Sequence, residues 1–243
     1  MKTFLFCTAF LNKETTAHSQ QRYLLWLYYY MPKLKQLGVD YVFLINDGQD
    51  DICLHEDIGV LPADNLPSVL EYEVNIIYFK DHLGRKDIID FPGWWRSFTF
   101  AHVLSQKYGF QKIIHIESDF FVLSDQLFSF IKKTKKGWVS LFCNHYNFPE
   151  TAIQVVCKDH FESLAKMYSK AIDREFSFNN FAEYTLPFSD VQKGFTGDRL
   201  GELEVLQTWV SLYNERALDY IGQINSVTNI NFMRRFFDIP IDV

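Results

Sequence analysis

The chain lacks the features that would commit it to several large classes of protein. Its net charge is −6, from 24 Lys and Arg against 30 Asp and Glu in 243 residues. Nucleic acid requires the opposite balance, a basic stripe or patch, so it is excluded as the main partner. Cysteine is scarce: Cys7, Cys53, Cys143 and Cys157 form neither a close-spaced metal pair nor a disulfide-like cluster. That usage points to a reducing compartment, and a cytoplasmic location is expected. No run reaches the 18 or so apolar residues of a membrane span. Repeats, low-complexity segments and obvious linkers are also missing. One domain over residues 1–243 is therefore the simplest organisation.

What is present in excess is aromatic. Phe (24) and Tyr (13) carry most of a 17% aromatic content, enough for a dense core, an aromatic-lined cleft or a sticky face. The amino terminus, MKTFLFCTAFL, combines a lysine with a short apolar run, as a secretory signal would. No small-residue cleavage site follows, and Asn12-Lys13-Glu14 interrupts at once, so the run is read as a first strand, Thr3 to Phe10.

Strands and helices then alternate. Ser19 to Leu37 predicts a helix stopped by Gly38 and kinked or split at Pro32. Tyr41 to Ile45 is a strand ending in the turn signal Asn46-Asp47-Gly48. Val74 to Phe79 is a further strand, and Gly93 to Tyr108 a long helix closed by Gly109. Lys112 to Ser124 follows, then a helix over Gln126 to Lys136. Strands at Trp138 to Phe142 and Ile153 to Val156 precede a helix over Asp159 to Ile172. Ser177 to Thr196 shows no periodicity and reads as a functional loop, and Leu203 to Tyr213 returns to helix. This order predicts an α/β fold with a mixed, mostly parallel sheet flanked by helices.

The stretch KIIHIESDFFVLS, Lys112 to Ser124, concentrates the chemistry. Its apolar start, Ile113, Ile114 and Ile116, suits a buried central strand. Glu117 and Asp119 follow, separated only by Ser118. Two carboxylates at the end of a hydrophobic strand are costly to desolvate unless a cation receives them, and strands of open α/β sheets end at the ligand crevice. In a flat strand these two residues sit about 6.6 Å apart, too far for both to ligate one magnesium at about 2.0–2.1 Å. Either the strand curls at Ser118 or one acid binds the ion and the other something beside it. An acid-x-acid at a strand end thus reads as a holder for a metal–diphosphate.

With these residues in view, the run from Tyr78 to Ser124 resembles the donor-binding half of GT-A fold glycosyltransferases. The likeness rests on the Leu83-Gly84-Arg85 turn, on Trp94-Trp95-Arg96 near the start of a helix, and on Glu117-Ser118-Asp119 inside a hydrophobic–DxD–hydrophobic strand. Glu replaces the usual first Asp. The resemblance implies a Rossmann-type nucleotide-binding region, with residues 1–124 as donor half and 125–243 as acceptor half. It implies that Phe10, Asp47, Arg96, Glu117 and Ser118 bind the donor: Phe10 and Asp47 at base and ribose, Arg96 at the diphosphate. Glu117 and Asp119 are the expected ligands of Mn2+ or Mg2+. In an inverting enzyme a carboxylate must deprotonate the acceptor hydroxyl. Asp198, at what looks like a helix start, is the expected base, with Glu202 and Asp190 as rivals.

The implied activity is transfer of a sugar from a nucleotide-diphosphate donor, a UDP-sugar being favoured, to a glycan acceptor in cell-surface polysaccharide synthesis. A nucleotidyltransferase is the runner-up, although Phe10-Leu11-Asn12-Lys13 offers no glycine-rich loop after strand one. A catalytically inactive nucleotide-sugar-binding domain is the third reading. Arg234 and Arg235, flanked by Phe232, Phe236 and Phe237, allow a weak peripheral contact with an anionic membrane face. Packing of the tail against the domain is the plainer expectation.

Overall fold

The computed structural model describes residues 1–11, 17–48, 55–199 and 218–239, without the side chains of residues 17–19 and 198. Strand β1, Thr3–Ala9, is its axis. Alternate residues of a strand point to opposite faces, and here both faces are apolar. Leu5, Cys7 and Ala9 enter one hydrophobic cluster, while Phe4 and Phe6 enter another. A strand buried on both sides belongs in the middle of a parallel sheet. The parallel neighbours of β1 are β2, Tyr41–Asn46, and a strand formed by Lys112–Ile116.

The other strands follow in chain order: β3 (Ile58–Pro62), β4 (Val74–Tyr78), β5 (the Lys112–Ile116 strand), β6 (Phe121–Val122), β7 (Trp138–Cys143), β8 (Phe148–Cys157), β9 (Asp190–Gln192), β10 (Gly197–Arg199) and β11 (Tyr220–Gly222). Eight of them form one sheet in the order β3-β4-β2-β1-β5-β8-β7-β9. The first five are mutually parallel, whereas β8 runs antiparallel to both β5 and β7. From β1 the chain lays β2 and β4 to one side and β5 to the other. The gap between the carboxyl ends of β1 and β5 is therefore a topological switch point, where open α/β sheets bind ligands. A small second sheet, β10-β11-β6, stands beside it.

Helices cover both faces in a three-layer α/β sandwich. One face carries α1 (Ala17–Tyr30), α2 (Leu34–Leu37), α4 (Asp125–Lys133) and α7 (Val227–Phe236), through Tyr23, Trp26, Tyr29, Leu34, Leu127 and Met233. The opposite face carries α3 (Pro92–Tyr108) and α5 (Phe161–Ala171), through Trp95, Phe98, Leu104 and Leu164. The mixed, mostly parallel α/β sheet is as expected.

Some boundaries differ for physical reasons. The first helix starts at Ala17 rather than Ser19, and a 3-10 turn over Met31–Lys33 divides it from α2 at Pro32. Gly38 then adopts φ 70°, the left-handed cap that a glycine takes most cheaply. Strand β3 was hidden by Gly59 and Pro62, which an edge strand tolerates and a central one does not. Strand β8 begins five residues earlier than Ile153. The unpatterned stretch after Ser177 holds a short helix, α6 (Ala182–Thr185), besides β9. The tail folds as α7, capped by Ser226, and Phe232, Phe236 and Phe237 pack on the core. Phe237 lies 4.2 Å from the Tyr29 ring, so packing rather than a membrane face accounts for these aromatics. Leu203 to Tyr213 lies outside the described residues. Among those described, no helix is long and apolar enough to cross a membrane.

Lys112, at the start of β5, ties the central strand to α4. It is buried, and its Nζ donates to the carbonyls of Ile131 and Lys132 at the helix end. Burial pulls its pKa from 10.5 down to about 8, with Cys157 opposing. The unfolded chain thus holds the proton over a pH range in which the folded one releases it, so stability rises with pH there. Relative to Lys112→Met, the wild type should gain up to about 3 kcal/mol between pH 8 and 10.5, as urea titrations would measure. A gap that stays constant would mean the buried ammonium carries no penalty.

Candidate active site

An open cleft of about 710 Å³ lies at the carboxyl ends of β1 and β5. Its walls include Thr8 and Phe10 from β1 and the residue after it, Arg22 and Tyr23 from α1, Asp47 after β2, Trp94 and Ser97 from α3, and Glu117, Ser118 and Asp119 after β5. Arg199 and Gln223 close the far side. Of the residues singled out in the sequence, Phe10, Asp47, Glu117, Ser118 and Asp119 all line this cleft. Arg96 is not among the residues lining this cleft.

The strand curls where the two acids require it. Phe120 N donates to Glu117 O at 3.0 Å, making a turn of Glu117-Ser118-Asp119-Phe120. The two carboxylates then have different surroundings. Glu117 receives Thr8 Oγ1 at 2.8 and 2.9 Å and Trp94 Nε1 at 2.6 Å, and it pairs with His115 Nε2 at 3.2 Å. Burial pushes its pKa up. The neighbouring His115, with the bonds from Trp94 and Thr8, outweighs that and holds it below the usual carboxylate value. His115 itself is fully buried against Phe6 and Phe98.

Among the described residues no other side chain donates to the carboxylate of Asp119; its own backbone N–H is the donor it has. Burial raises its pKa to about 6; Arg22 opposes the rise, while Glu117 and Glu150 add to it. An ionised Asp119 is thus short of positive charge. Among the described residues no three His, Cys, Asp or Glu converge on one point, so the cleft offers no closed protein cage for a metal. It does fit a site of one or two carboxylates completed by substrate phosphates, with Asp119 as the available ligand. Glu117, expected beside it, already has both oxygens engaged.

Asp47 and Arg96, both expected at the donor, pair with each other. Arg96 Nη2 donates to Asp47 Oδ1 and, at 2.6 Å, to the carbonyl of Asp81, while Nη1 reaches Asp81 Oδ1 at 2.7 Å. Asp47 also accepts from Gly84 N at 2.8 Å and pairs with His82 at 2.9 Å. This knot folds the 82–84 turn onto the end of β2. It also explains Gly93: a Cβ there would lie 1.9 Å from Asp47 Oδ2. His82, placed by the knot, stacks on Phe10 with ring centres 4.2 Å apart. Phe10 is half-open at the cleft mouth, its backbone N–H bound to Tyr23 Oη at 2.9 Å.

Two arginines in the walls were not singled out from the sequence. Arg199 is bidentate to the buried Glu150, at 2.7 and 2.6 Å, and also reaches Glu183 at 3.2 Å. Among the described residues Arg22 makes a single hydrogen bond, from Nη2 to Tyr23 Oη at 2.9 Å, and its buried Nε has no partner there. The only signal for Arg22 was its place on the helix directly after strand one.

The expected base sits in a different element. Asp198 is the middle residue of β10, paired with Ile221 of β11, rather than at a helix start; its side chain is outside the described set, as is Glu202. Asp190 is exposed on β9, accepts from Gln192 and does not line the cleft.

The sheet order, the switch point and the placement of the acidic turn define a GT-A-like fold. No family model and no curated protein matches the sequence. Among solved structures, the chain is similar to a glycosyltransferase involved in the glycosylation of the major capsid of PBCV-1. The TM-score is 0.50 at 13% identity, over 96% of this chain and 100% of that one. A protein from Bacillus anthracis assigned as a glucose-1-phosphate thymidylyltransferase, in complex with a sucrose, gives 0.45 at 12% identity, over 100% and 97%. At 13% identity the likeness to the first is one of fold.

Glu117→Gln removes the charge while nearly preserving shape, and it leaves a buried amide facing Trp94 Nε1 and His115. It should cost about 1.5–3 kcal/mol at pH 7, the range for hydrogen bonds to charged groups. Because the folded pKa is depressed, that difference should shrink as pH falls through it. Denaturant titrations of both proteins at pH 7 and at acid pH would measure this; equal stability at pH 7 would rule out the anchoring role.

Proposed function

We propose that the protein is a glycosyltransferase that moves a sugar from a nucleotide-diphosphate donor to a glycan acceptor. The observation that carries this reading is the split between two carboxylates at the switch point. One is consumed in holding the site together, and the other faces an open cleft with too little positive charge around it. A metal–diphosphate supplies what Asp119 lacks. UDP-sugars are the favoured donors. The Phe10–His82 stack is the candidate platform for the base, and Ser118, on the acidic turn, is a candidate contact for the ribose or diphosphate.

In the transfer, the acceptor oxygen bonds to the anomeric carbon as that carbon's bond to the diphosphate oxygen breaks. The electron pair leaves with the nucleotide diphosphate. The acceptor's proton passes to a carboxylate in the inverting form of the reaction, and Asp198 is the candidate. Mn2+ or Mg2+ held by Asp119 would offset the charge on the leaving diphosphate. Thr8, Trp94 and His115 keep Glu117 ionised beside it, which adds to the attraction for a cation.

A ligand that binds only the native state raises the apparent melting temperature by mass action. UDP and GDP, each with and without Mn2+, should therefore raise Tm, with the largest shift for UDP plus Mn2+. Asp119→Ala should abolish the metal-dependent part. Protons compete with the metal at Asp119, so the metal-dependent shift should be full at neutral pH and fade as pH falls through about 6. A metal-dependent shift that persists in the variant would remove Asp119 from the site. The absence of any nucleotide response would sink the reading as a whole.

A further inference from the structure

Arg22 lies over the Tyr23 ring, 4.9 Å from its centre, but its hydrogen-bonding capacity is largely unmet by the described residues. Its guanidinium stands in the cleft wall, yet among the described residues its one hydrogen bond goes to Tyr23 Oη. The Nε is buried with no partner, and a buried unsatisfied donor calls for a reason. Burial acts against its charge; Tyr23, Asp119 and Glu117 keep it protonated. Neither carboxylate forms an ion pair with it, so a positive and a negative group share one cleft without touching. Arg96, the arginine that the chain order suggested for the diphosphate, is held by Asp47 and Asp81.

We propose that Arg22 is the cation that grips the diphosphate of the donor, and that it does so without help from a divalent ion. This rests on the glycosyltransferase reading and assigns its leaving-group contact. Arginine presents a planar fork of donors that matches phosphate oxygens. Tyr23 orients the fork: its hydroxyl accepts from Arg22 and from the Phe10 backbone, so the phosphate contact and the base platform are set by one side chain. The negative charge arriving on the leaving oxygen would then meet Arg22 on one side and Asp119 with its metal on the other.

The test is nucleotide binding in EDTA, with UDP and uridine as probes, by calorimetry and ligand-observed NMR. Wild-type protein should bind UDP more tightly than uridine. Arg22→Gln should weaken UDP by about tenfold or more while leaving uridine unchanged, as expected for loss of charge-assisted bonds to phosphate. Arg22→Lys should recover part of the loss. Thermal melts without ligand verify that both variants fold. Equal weakening of UDP and uridine would make Arg22 a support for Tyr23 and Phe10 only, and would overturn the proposal. So would UDP binding that is unchanged in Arg22→Gln, or that vanishes from wild type in EDTA but returns with Mn2+; both outcomes leave the glycosyltransferase reading standing. If UDP fails to bind under every condition, both readings fall together.

Discussion

The site depends on one largely buried carboxylate. Glu117 is held by Thr8 at the end of β1, by Trp94 on α3 and by His115 on its own strand. These elements come from three separate parts of the chain, and the acid is the point at which they meet. A lone carboxylate in that position would be expensive; with these donors it becomes a clamp. Because the clamp fixes Glu117 inward, the turn that follows carries Asp119 outward into the cleft. The pKa values separate accordingly, one below the usual carboxylate value and the other raised to about 6. Adjacent acids with divergent environments are how one site obtains two roles from one residue type.

A second clamp shapes the wall of the cleft beside β2. Asp47 and Arg96 are both buried, and each would be costly alone. Together with His82 and the Gly84 amide they tie the end of β2 to the start of α3. Their ligand is the protein itself. What the knot contributes to binding is indirect: it sets His82 under Phe10, and it leaves no room for a side chain at position 93.

Much of this was legible in the sequence. An apolar run broken by Glu-Ser-Asp can end at a crevice in few other ways, and Gly38, Gly109 and Pro32 marked helix ends by their backbone chemistry. The division of labour between Glu117 and Asp119 was not legible, because it is set by Thr8 and Trp94, 109 and 23 positions away. Arg96 was misleading for a similar reason: closeness in sequence to the motif says nothing of Asp47, 49 residues earlier. Arg22 was passed over because one arginine in an amphipathic helix ordinarily faces water. Strand β3 was lost to the general rule against Pro and Gly in strands, which edge position relaxes.

The charge balance of the cleft follows from these pairings. Arg199 is paired with Glu150 and Glu183, and Glu117 is held by His115 and two neutral donors. Asp47 and Arg96 cancel each other. Among the described residues of the cleft wall, Asp119, Arg22 and the exposed Arg85 remain without an ion pair, and Asp119 and Arg22, of opposite sign, are not in contact. A ligand of uniform charge would satisfy one of them and repel the other. A ligand that presents a cation to Asp119 and oxyanions to Arg22 satisfies both at once, and a nucleotide diphosphate carrying a divalent ion is such a ligand.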